Sequence, residues 1–235
     1  MFSILNMSSA PVPARRRAAD DDRTTRARIR DAAIECYAEL GVNGTTARSV
    51  AKRAGVSPGL VIHHFGSMDA LRAACDEHVA AVIRHTKQDA IGAGLGLDVT
   101  AAWRDADIGQ LGSYLARVLT DDSPAVARLV DELVADAAGY LAQGIETGLV
   151  RQLDDLLGAA TVMVLWSLGG LVLHGHMKRL LGVDPTEPGF GADPAFAAYA
   201  GPAYEILGGG IFTDAFATHV HDALAGMTGP TEGTA

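Results

Sequence analysis

Cysteine is scarce in this chain of 235 residues, which has Cys36 and Cys75 and no others. That is too little for a disulfide framework. Both fall on apolar faces of helical patterns, where a thiol acts as a small hydrophobe; a redox-sensing role is the alternative reading. Runs that alternate apolar and polar residues are lacking as well, so the expected class is all-α. Positive charge is in short supply overall, with 19 Lys and Arg against 28 Asp and Glu and a net charge of −9. Met1 to Ala10 is too short an apolar run for a secretory leader, and Arg15, Arg16 and Arg17 follow it instead of preceding it. The expected location is therefore the cytoplasm.

What charge there is divides unevenly. Residues 1–67 hold 10 basic against 6 acidic side chains, whereas residues 68–235 hold 9 against 22. A positive head on an acidic body suits a protein that brings only its head to a polyanion. The 49% apolar content supplies a sizeable core.

Thr45 to Phe65 (TTARSVAKRAGVSPGLVIHHF) organises the head. Thr45 or Thr46 can cap a short helix. Val50, Ala51 and Ala54 share one face of it, and Gly55 stands where a left-handed residue ends it. Ser57 and Pro58 then read as the cap and first position of a second short helix. Val61 and Phe65 pack inward from that helix, while Leu60 and His64 point elsewhere. The pattern is a helix-turn-helix whose second helix is available to a DNA major groove. Ser57, Pro58, Gly59, Leu60, His63 and His64 lie on faces that can approach DNA, with one of the adjacent histidines expected to be packed. Leu60 suits a thymine methyl and a histidine suits a base edge.

Upstream, Ile29, Ala33, Cys36, Tyr37 and Leu40 form the apolar stripe of a first helix beginning at Thr24 or Thr25. Arg26, Arg28 and Arg30 crowd its opening end, unfavourably for the helix dipole. Those arginines therefore suit an external anion. Residues 1–22 carry no apolar periodicity and are expected to be a disordered arm.

From Arg26 to Val79 the order and spacing of the Ala-rich helix ending in YAELG, then TT..SVAKRAGVS.G, then HHFGS.DAL, resembles the DNA-binding domain of the TetR family of bacterial regulators. The resemblance implies that Thr46 and Arg48 touch the DNA backbone and that Ser67 offers its amide to a phosphate. It also marks two departures. Ile62 and Met68 stand where the family commonly has a phosphate-holding Tyr and Lys, and neither can donate a hydrogen bond. Ser67 caps a fourth helix that continues to about Lys87 with Leu71, Cys75, His78, Val79 and Val82 as its buried stripe, and the resemblance implies that this helix carries ligand binding to the head.

Beyond Asp105 the pattern is helical, with helices expected at about 105–120, 123–138, 139–149, 152–181, 194–207 and 213–225. The domains expected are the arm 1–22, a DNA-binding head 23–70, an effector-binding and dimerisation body 71–225 and a flexible tail 226–235. Within the body, Leu156 to Leu173 is a run of 18 uncharged residues, by length a membrane-span candidate. Its glycines and the adjoining His174 and His176 favour a buried helix instead. The family's habit of pairing its last long helices with a twofold mate suits this segment. Trp103, Tyr114, Tyr140, Met163 and Trp166 are candidates to line an apolar ligand cavity of the kind the family encloses.

Other chemistry finds little support. The histidines come as H-x-H pairs at 174/176 and 219/221, a spacing that sends the rings to different helix faces, so no metal or cofactor is expected. Gly55 to Gly59 fits G-x-S-x-G, but that hydrolase elbow needs a preceding strand, and a charged helix is expected here. The function expected is a homodimeric repressor released from a palindromic, double-stranded DNA operator by a small, mostly apolar effector, with no membrane partner. The alternatives are a small all-α enzyme using the body's pocket and a regulator anchored in a membrane through residues 156–173.

Overall fold

The computed structural model describes residues 14–92 and 109–209, with Thr218 and Val220. Trp103, the helix expected at 213–225 (apart from those two residues) and the tail lie outside the described residues. Among the described residues there are helices and no strands. The head comprises α1 (Ala14–Gly44), α2 (Ala47–Ala54), α3 (Pro58–Phe65) and the start of α4 (Met68–Gly92). The body follows as α5 (Gly109–Val118), α6 (Pro124–Glu146), α7 (Leu156–Val172), α8 (His174–Leu181) and α9 (Ala197–Gly209). Two short 3-10 turns, Phe190–Ala192 and Pro194–Phe196, precede α9.

Helix α1 begins at Ala14, so the stretch from Ala14 to Asp22 is helical instead of part of a disordered arm. Ala and Arg are good helix formers and need no apolar stripe to extend an existing helix. Gly41 breaks α1 at φ 73°, and Thr45 is buried there with its hydroxyl donating to the Gly41 carbonyl at 2.8 Å. Thr46, and not Thr45, is therefore the cap of α2.

Helix α6 runs unbroken from Pro124 to Glu146, where two helices were expected. Gly139 sits within it with no neighbour near the position a Cβ would take, so it interrupts nothing. The expected helix 152–181 is in fact two, α7 and α8, bent by 79° at Leu173. Among the described residues no single helix is long and apolar enough to cross a membrane; α7 and α8 reach that length only together, across the bend. The bend is held from outside. His174 Nδ1 lies 3.2 Å from Asp184 Oδ1, and the Thr186 hydroxyl donates to the same carboxylate at 2.6 Å.

One apolar cluster joins head and body. Ile29, Val50, Val61 and Val79 from the head share it with Tyr114, Leu115 and Leu129 from the body, the first six of these fully buried. Polar side chains cross the same junction. Tyr114 Oη donates to Asp76 Oδ1 at 2.6 Å, and Arg72 Nη1 donates to Asp121 Oδ2 at 2.9 Å. Higher on α4, Arg84 forks between Asp136 (2.8 Å) and Glu132 (2.6 Å) of α6. Helix α4 thus starts at the head and is clamped to the body at two levels.

Candidate nucleic-acid interface

The interface is built from short-range chemistry. The Thr46 hydroxyl accepts from the Ser49 amide at 3.2 Å while Ser49 Oγ accepts from the Thr46 amide at 2.9 Å, a reciprocal cap opening α2. Gly55 closes α2 at φ 68°, a left-handed conformation that costs glycine no Cβ clash. Ser57 Oγ accepts from the Leu60 amide at 3.2 Å, and Pro58 occupies the first turn of α3. Val50, Ala51, Ala54, Val61 and Phe65 are buried between the two helices. Ser67 repeats the device for α4, accepting from the Ala70 amide at 3.0 Å.

The outer surface of α3 is left open. Ser57, Pro58, Gly59 and His63 are exposed, Leu60 is partly so, and Ile62 is 39% exposed. Thr46, Arg48 and Ser67 are exposed on the flanking elements, as are Arg26 and Arg28 on α1. Apart from Ile62, these are ten of the predicted DNA-facing residues, and all ten are solvent-accessible. Arg26 has a second contact, its guanidinium lying 4.7 Å from the centre of the Phe65 ring.

His64 departs from the expected outward position. Its side chain is only 6% exposed, and Nδ1 lies 3.7 Å from Asp22 Oδ1 of α1. Of the adjacent histidines it is the packed one. Its partner falls in the acidic triplet that carries no periodicity, so no sequence signal marks Asp22.

The basic residues also divide by role. Arg53 is taken by α1, its guanidinium gripping Glu39 with one nitrogen at 2.8 Å and standing 3.4 Å from Glu35. Arg30 pairs with Asp31 at 2.7 Å. Arg26, Arg28, Arg48 and Lys52 are among the exposed cations of the head. Ser57 follows a helix and spends its oxygen on a cap, so the serine-hydrolase elbow is not formed.

The four predicted ligand-lining residues that are described, Tyr114, Tyr140, Met163 and Trp166, sit in different surroundings. Tyr114 is fully buried at the head–body junction, with its ring edge-on to Tyr37 at 6.0 Å. Met163 and Trp166 point outward from α7, at 38% and 39% exposure. Tyr140 is half-buried; its hydroxyl is buried without a hydrogen-bond partner, and burial pushes its pKa up to about 12. The reason is that α7 is apolar on every side, so spacing alone cannot say which side meets the core. Both thiols are buried and their pKa values are raised by that burial, which holds them protonated and unreactive.

A capped helix pair with one open face, set on a helix that continues into a larger body, defines a helix-turn-helix DNA-binding protein. Comparison with known proteins narrows this. Residues 29–75 match the description "Bacterial regulatory proteins, tetR family" and residues 107–213 match "Tetracyclin repressor-like, C-terminal domain". The regulatory protein RaaS of Mycobacterium tuberculosis is 35% identical over 167 residues, covering 71% of this chain and 76% of its own length. The regulator BetI of Burkholderia thailandensis is 41% identical over 90 residues, 35% of this chain and 46% of its own. Among solved structures, FadR from Bacillus subtilis, crystallised with stearoyl-CoA, superposes with a TM-score of 0.53 at 18% identity, over 79% of this chain and 99% of FadR. A regulator from Pseudomonas aeruginosa PAO1 superposes with a TM-score of 0.51 at 24% identity, over 78% and 92%. The chain belongs to the TetR family and is a DNA-binding transcriptional regulator.

Proposed function

We propose that the protein is a cytoplasmic homodimeric repressor that leaves a palindromic operator when a small, mostly apolar effector binds its body. The observation that carries this reading is the double clamp on α4. Any change in α5 or α6 that moves Asp121, Asp136 or Glu132 pulls on the helix that begins at the head. Two heads must present their α3 helices about 34–36 Å apart to enter successive major grooves. An effector that binds more tightly to another spacing lowers DNA affinity by that difference.

The dimer face we assign is the apolar strip on α7–α9. Val162, Leu165 and Leu180 are 65%, 56% and 66% exposed there, and Tyr204 and Leu207 are exposed on α9. Exposed apolar side chains on successive helices suit a partner surface. FadR has the same fold and was solved with an acyl-CoA, so long-chain acyl compounds are the first effector class to test. The DNA-facing set we assign is Arg26, Arg28, Thr46, Arg48, Ser57, Pro58, Gly59, Leu60, His63 and Ser67.

The test is an electrophoretic mobility shift on the duplex upstream of the gene, at two salt concentrations. Arg48→Ala is expected to weaken binding on all sequences alike and to lower the salt slope by about one. A change in which base is preferred would show that Arg48 reads sequence and does not hold the backbone.

A further inference from the structure

We propose that Asp22 is a built-in competitor for DNA phosphate, a positioning residue that holds the His64 ring against α1 until a duplex displaces it. Asp22 is 66% exposed, whereas the His64 ring it faces is 6% exposed, with Nδ1 and Oδ1 3.7 Å apart. That separation is too long for a hydrogen bond, so no bond fixes the pair and the contact can be exchanged. Among the groups that face the ring are Asp22 of α1 and His63 of α3, whose ring meets it edge-on at 5.7 Å. Arg26 is already engaged with Phe65, the residue next to His64.

A carboxylate beside the recognition helix meets repulsion from a polyanion at contact range, inside the roughly 8–10 Å over which salt leaves such forces unscreened. Two positions earlier, on the open face of α3, the exposed Ile62 side chain offers the phosphates no donor. The approach of DNA therefore replaces Asp22 by a phosphate as the acceptor facing His64. The cost of breaking the first contact lowers affinity for all sequences by the same factor.

This inference rests on the DNA-binding reading, and its test separates the two. Wild type, Asp22→Asn, His64→Gln and the double variant are titrated by fluorescence anisotropy at several salt concentrations. The probes are the gene's upstream duplex and a random-sequence duplex of equal length. Asp22→Asn is expected to tighten binding to both duplexes by about 3–10-fold and to steepen the salt dependence by about one phosphate contact. In the His64→Gln background the same change is expected to give little gain. An unchanged or weaker Asp22→Asn, or an equal gain with His64 removed, overturns the proposal, the latter by showing plain repulsion with no role for the ring. Circular dichroism confirms that each variant is folded, and Asp22→Asn, at an exposed site, decides the salt slope alone if His64→Gln is not. Sequence preference of the wild type between the two duplexes tests the regulator reading separately.

Discussion

Replacing Tyr114 by Phe removes one oxygen from the junction of α1, α4 and α5. The hydroxyl is fully buried and donates to Asp76 Oδ1 at 2.6 Å, while the next cation, Arg72 Nε, stands 4.0 Å from the other carboxylate oxygen. Asp76 is itself 8% exposed, so water cannot readily take the place of the lost donor. A hydrogen bond to a charged group contributes about 1.5–3 kcal/mol. In a protein of this size each kcal/mol moves the melting temperature by about 2–4 °C. The variant is therefore expected to melt about 3–12 °C below wild type at neutral pH, read by circular dichroism at 222 nm. The phenyl ring keeps its edge-on contact with Tyr37, so apolar packing is preserved. At a pH low enough to protonate Asp76 the difference should narrow, because a neutral acid loses less when its donor goes. A melting temperature within about 1 °C of wild type would show that the junction is held by packing alone.

Burial raises the pKa of Asp76 above its ordinary value, with the Tyr114 hydrogen bond and Arg72 opposing. Its ionised form therefore costs stability, and that cost grows as pH rises from the unfolded value near about 3.9 to the raised folded one. Asp121 is shifted the other way by Arg72, so its contribution is present above about pH 3.9 and is lost as pH falls through its lower folded pKa. Urea midpoints from pH 3 to 6 should show Asp76→Asn removing the first slope and Asp121→Asn the second; interchanged effects would refute these assignments. Gly112→Ala should destabilise by about 1–3 kcal/mol, since its Cβ would fall 2.7 Å from the Pro185 carbonyl oxygen. Gly139→Ala, in open space on α6, should instead stabilise by up to about 1 kcal/mol in the same urea titration. Leu165→Glu should place an unpaired charge in the proposed dimer face and weaken association at least about 100-fold by sedimentation, a cost of about 3 kcal/mol.

The helix-turn-helix was legible because its determinants are local. Thr46, Gly55, Ser57 and Pro58 act within four residues of their own positions, and Val50, Val61 and Phe65 need only helical spacing to find one another. His64 was misplaced because its fate depends on Asp22, 42 positions earlier in the chain. The surroundings of Tyr114, a ligand candidate, were hidden for a related reason. Tyr114 is claimed by Asp76 and Tyr37, contacts that no periodicity announces. Along α7 every face is apolar, so only the packed structure separates inward Ala160 and Leu171 from outward Val162 and Leu165.

The apolar cluster that runs through both halves constrains how the molecule can be cut or recombined. A fragment ending before Gly109 would leave Ile29, Tyr37 and Val79 without the α5 surface formed by Tyr114, Leu115 and Val118. A chimera that grafts this reading head onto another sensor must transplant those three side chains with it, or the graft will arrive with its own interior exposed to water.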